Sequence, residues 1–177
     1  MNRDELTQKE KEVLDALKEQ FGDSISGHER TFGQLSIFVE NNLIFNIAQF
    51  LKDNEKCGFE TVSDICGVDW IDCSEMRYEI VYVFYSFRNN TRVLIRTTLP
   101  DVNEPKIRSI QPLYPGADWL EREVYDMLGI VFEGHPDLRR ILTPEGFEDW
   151  PHRKDFPLTY EMPHFSHNKN KPPEIIK

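Results

Sequence analysis

The stretch whose reading decides the fold is DWLEREVYDMLGIVFEGHPDLRRIL, Asp118 to Leu142. It holds a short, densely charged helix, a glycine stop, a His-Pro turn and a twin arginine. Asp118, just after Pro115-Gly116, suits a helix start, with acid near the positive end of the helix dipole. Leu120, Val124, Met127 and Leu128 stand at i, i+4, i+7 and i+8 and share one face, and Trp119 extends that arc. Asp118, Arg122 and Asp126 fall opposite, as exposed pairs worth only about 0.2–0.5 kcal/mol each. The same arithmetic sets Glu123 inside the apolar arc, between Trp119 and Met127, with Glu121 at its border. A carboxylate held there requires a cation. Arg139 and Arg140 are the nearest, brought back by the Gly129 stop and the Gly134-His135-Pro136 turn.

Two readings of this cluster compete. In one, Glu121, Glu123 and the arginines are a structural ion-pair network that locks the helix to the turn. In the other, Glu123 is a general acid or base. Structural networks perturb carboxylates as readily as active sites do. No second catalytic group stands at a recognisable spacing, so the structural reading is preferred.

Upstream, the periodicity predicts an amphipathic helix over Asp4–Phe21, striped by Leu6, Val13, Leu14, Leu17 and Phe21. A strand after Gly33 follows, with Leu35, Ile37 and Val39 on one face. A helix capped by Asn41 or Asn42 then runs to about Asn54. Strands are predicted over Phe59–Ile71, Tyr78–Phe87 and Arg92–Leu99, the last two joined by a short loop from Arg88 to Thr91. Gly67 hints at a bulge or a close backbone approach. Apolar residues on both faces of Tyr78–Phe87 predict a central strand covered on both sides. Pro105 suits the start of a short helix through Gln111, and Ile130–Phe132 a short strand. This order defines an α+β layer: an N-terminal helix, a helix-covered, mostly antiparallel sheet, and the charged short helix. The chain thus divides into a body, residues 1–132, and an extended Pro-rich arm, residues 133–177.

Composition supports that boundary. The arm holds seven of eleven prolines and four of five histidines. The net charge of −10 falls almost wholly on the body and argues against a nucleic-acid partner. The arm is rich in aromatics, from Phe147, Trp150 and Phe156 to Tyr160 and Phe165. That suits an extended segment lying in another protein's groove, the alternative being that it wraps its own body. His152-Arg153-Lys154-Asp155 is read as its polar clamp. His164 and His167 have metal-like spacing without a supporting cluster, which favours a solvated pair. Cys57, Cys66 and Cys73 are odd in number and form no C-x-x-C. They fit neither a disulfide framework nor an iron–sulfur or zinc site. No apolar run approaches the roughly 20 residues of a membrane helix, and the N-terminus lacks a secretory apolar core. Membrane contact is expected only through partners.

The run E-R-E-V-Y-D-M-L, then six residues, then His135, Arg139 and Ile141-Leu142, resembles the characteristic motif of the C (thirty-kilodalton) subunit of respiratory complex I. Pro151 to Leu158, around R-K-D-F-P-L, is similar to the family's second hallmark. The resemblance implies a non-catalytic subunit in the peripheral arm of a proton-translocating NADH:quinone oxidoreductase. It would sit on the cytoplasmic face of the inner membrane, against the large quinone-module subunit and neighbouring iron–sulfur subunits. NADH, flavin, iron–sulfur clusters and quinone would then belong to partner subunits, with none in this chain. Glu121, Arg122, Glu123, Asp126, His135, Arg139, Arg140, Arg153, Lys154 and Asp155 become candidates for structure or interface. Other readings stay open: a homologous subunit of a membrane-bound hydrogenase or ferredoxin-fed quinone reductase, or a freestanding hydrolase or isomerase using Glu123 and His135.

Overall fold

Thr7 starts the first helix, α1 (Gln8–Phe21). Its hydroxyl accepts from the Glu10 N–H, and the Glu10 carboxylate accepts in return from the Thr7 N–H at 2.7 Å. This reciprocal pair satisfies two orphan donors of the first turn and sets the start later than apolar periodicity alone suggested. The computed structural model describes residues 5–71, 73, 76–144 and 146–159. After α1 come β1 (Ile25–Thr31), β2 (Gln34–Val39), α2 (Ile44–Asp53), β3 (Thr61–Asp69), β4 (Tyr78–Ser86) and β5 (Thr91–Leu99). Then follow β6 (Lys106–Arg108), α3 (Ala117–Leu128) and β7 (Val131–Glu133).

Five strands form one mixed sheet in the order β1-β2-β5-β4-β3. Only β2 and β5 run parallel; the other three pairings are antiparallel. The α+β reading therefore holds. Strand β1 escaped the sequence reading because ISGHERT is polar and buries no alternate set of side chains, as an edge strand is free to do. It pairs with β2 around Phe32-Gly33, whose φ values of 53° and 83° match the twist of a two-residue hairpin.

Tyr78, Ile80, Tyr82 and Phe84 of β4 are fully buried with Leu35, Ile37, Val93 and Ile95, and join Leu17, Ile47 and Leu51 in the core. Their alternates Val81, Val83 and Tyr85 are only half-buried. The expectation of a strand covered on both sides is thus corrected: the sheet buries one face fully and the other in part. A second correction concerns Pro105, which opens strand β6 rather than a helix. Strand β6 pairs in parallel with β7 through Lys106–Val131 and Ile107–Phe132, so long-range pairing overrides the local helix signal.

Helix α3 lies against β3 at Gly67. A Cβ there would overlap Leu128 Cδ1 and stand 3.1 Å from Val124 Cγ1, so the missing side chain admits the helix. Close approach, not a bulge, explains this glycine; the register irregularity of β3 lies between Val62 and Asp64.

Candidate functional site

The candidate residues converge on α3, and the chain that follows it covers a second side of the helix. Ala117, Glu121, Val124 and Leu128 are buried together, while Arg122 and Asp126 are buried on another side. Only a narrow strip is left to solvent, and it carries Trp119, 63% exposed, and Glu123. This corrects the expected placement. Glu123 is not a buried carboxylate seeking a cation, and Arg122 and Asp126 are not an exposed pair. The error traces to Trp119: counting it as core rotated the apolar arc toward Glu123, whereas the indole is a surface group.

Asp126 is the hub. Its Oδ2 accepts three successive backbone N–H groups, from Ile141 at 2.9 Å, Leu142 at 2.6 Å and Thr143 at 2.9 Å. Oδ1 accepts from the Thr143 hydroxyl and from Arg140 Nη1 at 3.2 Å. Burial works against its charge, but the Thr143 hydroxyl and these backbone donors prevail and hold the carboxyl below its ordinary range. Arg140 also donates to the Asp149 carbonyl and lies 4.2 Å from the centre of the Trp150 ring. Trp150 in turn meets Tyr125 edge to face.

The end of α3 is closed by the same segment. The His152 N–H donates to the Met127 carbonyl at 3.0 Å, and Arg153 Nε to the Leu128 carbonyl at 2.7 Å. A cation at the negative end of the helix dipole is favourable. Further on, the Lys154 N–H donates to Asp69 Oδ2, while Arg77 bridges Asp69 and Asp155, each at 2.9 Å. At the other end, the Asp137 N–H donates to His135 Nδ1, so in the neutral ring the proton sits on Nε2, facing Asp118 at 3.3 Å. Arg139 is mostly exposed and pairs with Asp137.

The described residues between His135 and Phe156 therefore lie on their own body, which corrects the expected arm for that part. Strand β7 also crosses the expected boundary at residue 132. The packing was illegible in sequence because a carboxylate read as surface charge turns out to be the anchor. Asp69, Arg77, Ser109 and Thr143 were missed as well, because each meets partners distant in sequence. Tyr160, His164, Phe165 and His167 lie outside the described residues.

Glu121 needs no arginine. It is fully buried, accepting from the Ser109 hydroxyl and from the Ile110 N–H at 2.8 Å. Burial raises its pKa from 4.5 to about 7, against the pull of those donors. The unfolded chain releases this proton near 4.5, whereas the folded chain keeps it to about 7. Stability from this group is therefore greatest at low pH, falls as pH rises between those values, and is flat above them. From about pH 5.5 to about pH 8 the expected loss is on the order of 2 kcal/mol. Urea titrations across that range should show Glu121→Gln lacking this slope; an equal slope in both proteins would refute the assignment.

Fold and site together define a class: an α+β domain of one five-stranded sheet and a two-stranded ladder, whose last helix is fastened to the chain that follows it. The family described as "Respiratory-chain NADH dehydrogenase, 30 Kd subunit" matches residues 37–162, and the chain belongs to that family. An NADH-quinone oxidoreductase subunit of Sinorhizobium medicae (strain WSM419) is 45% identical over 148 residues, 84% of this chain and 72% of that one. Its counterpart in Hyphomonas neptunium (strain ATCC 15444) is 46% identical over 142 residues, 79% and 69%. Among solved structures, the trypsin-resistant fragment of Nqo5 superposes with a TM-score of 0.60 at 28% identity, covering 72% of this chain and 99% of the fragment. A chain of the membrane-bound sulfane sulfur reductase, an archaeal respiratory membrane complex, shares the fold, with TM-score 0.73 at 24% identity over 86% and 88%.

Proposed function

We propose that the chain is a non-catalytic subunit of a membrane-associated, proton-translocating NADH:quinone oxidoreductase. It supports the large subunit of the quinone-reducing module beside the iron–sulfur subunits. The observation that carries this reading is the family match across residues 37–162, together with relatives above 40% identity that are named as a subunit of that enzyme. The site geometry agrees with a supporting role. Asp126, Arg140, Asp69, Arg77 and Asp155 are consumed in fastening the described residues that follow α3 to the body. The freestanding hydrolase reading fares worse. Glu123 lines a cleft with Asp64, Cys66 and His152, and His135 is not part of it.

Flavin, clusters and quinone are assigned to partner subunits in this reading. Among the described residues no group of three or more His, Cys, Asp or Glu is placed to hold a metal ion. No described helix is long and apolar enough to cross a membrane. The chain would meet the cytoplasmic face of the inner membrane through its partners. The fold shared with the sulfane sulfur reductase keeps a second reading in play, in which a related complex takes electrons from another donor. Affinity purification of the tagged chain from its host membranes separates the two. The expected result is co-purification with flavin and iron–sulfur subunits and NADH:quinone activity. An assembly without an NADH-oxidising module supports the second reading, and turnover by the isolated chain overturns both.

A further inference from the structure

On a protein with a net charge of −10, one open cleft of about 510 Å³ is lined by arginine. Trp119, Arg122, Arg139, Arg140, Ile141 and Thr143 are among its walls, and none of the described residues lining it is acidic. The three cations are not equivalent. Arg140 is matched by buried Asp126, and Arg139 reaches outward to Asp137. Arg122 is only 7% exposed, and no carboxylate of the described residues pairs with it. Its Nε donates to the Arg139 carbonyl at 3.1 Å, and its guanidinium lies 4.9 Å from the centre of the Trp119 ring.

Among the described residues, then, this largely covered side chain opens on the cleft without a counter-charge. Its terminal N–H groups match the two oxygens of a carboxylate in a planar fork. The rim supplies the second requirement. Trp119 is 63% exposed and Leu142, between two lining residues in the chain, 61%. An exposed indole and leucine beside a largely covered arginine have the composition of an interface hot spot.

We propose that this cleft docks an acidic segment of a partner protein: an Asp or Glu side chain accepts from Arg122 and Arg139, and an apolar neighbour covers Trp119. A free, hydrated phosphate would leave Trp119 and Leu142 bare, which is why a protein carboxylate is the better occupant. This inference rests on the assembly reading above and names the chemistry of the contact.

The test uses the full chain in its host. Trp119→p-benzoylphenylalanine, irradiated in the purified assembly, should crosslink to a partner peptide containing Asp or Glu. Arg139→Glu and Trp119→Ala alter exposed groups, so the isolated variants should melt with the wild type. Their recovery with the assembly should fall at least tenfold at moderate salt, and reversing the partner's acid to Arg should restore Arg139→Glu. A crosslink to lipid, or to a peptide without an acidic residue, overturns the proposal. So does inorganic phosphate binding to the wild-type chain that Arg139→Glu abolishes. Normal recovery of Arg139→Glu beside a co-purifying wild type overturns the docking alone. Failure of the wild type itself to co-purify overturns the assembly reading, and the docking with it.

Discussion

Asp126→Ala lowers the stability of the isolated chain by about 3–5 kcal/mol and frees the segment after α3 to proteases. The size follows from what the change strands. Three backbone N–H groups, at Ile141, Leu142 and Thr143, lose a common acceptor, and the Arg140 guanidinium loses its counter-charge inside the packed segment. Each unsatisfied donor costs about 1–3 kcal/mol, reduced where water can reach the loosened segment. Asp126→Asn is the finer probe. Its carbonyl can still face the three N–H groups, but its amide then turns N–H donors toward Arg140, so a loss of about 2–3 kcal/mol is expected. Because the native carboxyl titrates below its ordinary value of 3.8, its contribution is present above that pH and is lost as pH falls through the folded value. The asparagine variant should therefore lack this part of the acid-side decline. Urea denaturation and trypsin cleavage after Arg139 and Arg140 provide the readouts. A protein that keeps its stability and its protease resistance without Asp126 would show that the segment is held elsewhere.

Gly129→Val carries the second large effect, roughly 2–5 kcal/mol, from two separable causes. The residue sits at φ 78° and ψ 21°, just past the last turn of α3, where a β-carbon costs about 1–2 kcal/mol. In addition, a Cβ would stand 2.6 Å from Trp150 Cε2 and 2.7 Å from Arg153 Nη2. Both atoms belong to the segment that closes the helix, so overpacking adds about 1–3 kcal/mol. A double-mutant cycle with Trp150→Ala isolates the second cause. The valine should cost less once the indole is gone, while the backbone cost remains. Strict additivity would mean that Trp150 does not press on this glycine.

Much of the fold was legible. The stripes of α1 and α2, the alternation in β2 and the apolar runs of β4 and β5 each reflect a local period set by backbone geometry. Gly129 at positive φ and Gly67 beneath α3 were legible too, because a missing side chain marks a backbone need. Strand β1 and strand β6 were not, since polar edge pairing and a three-residue ladder leave no period to read. The candidate site divides in the same way. Its residues stood out as a charged cluster, yet the roles of Glu121, Glu123 and Asp126 were misassigned.

For the stretch from Asp118 to Leu142, the sequence by itself determined the helix, its glycine stop, the returning twin arginine and the family motif. These depend on neighbours within a few residues. Only the tertiary structure decided which carboxylates are buried. Periodicity reports the face a helix turns toward one layer, and α3 is covered by two: the sheet at Gly67 and the chain's own described residues between His135 and Phe156. The second cover carries no period, because it is held by backbone N–H groups that every residue but proline possesses. That same cover leaves Trp119 and Arg122 at an open cleft, where the surface is available for a partner.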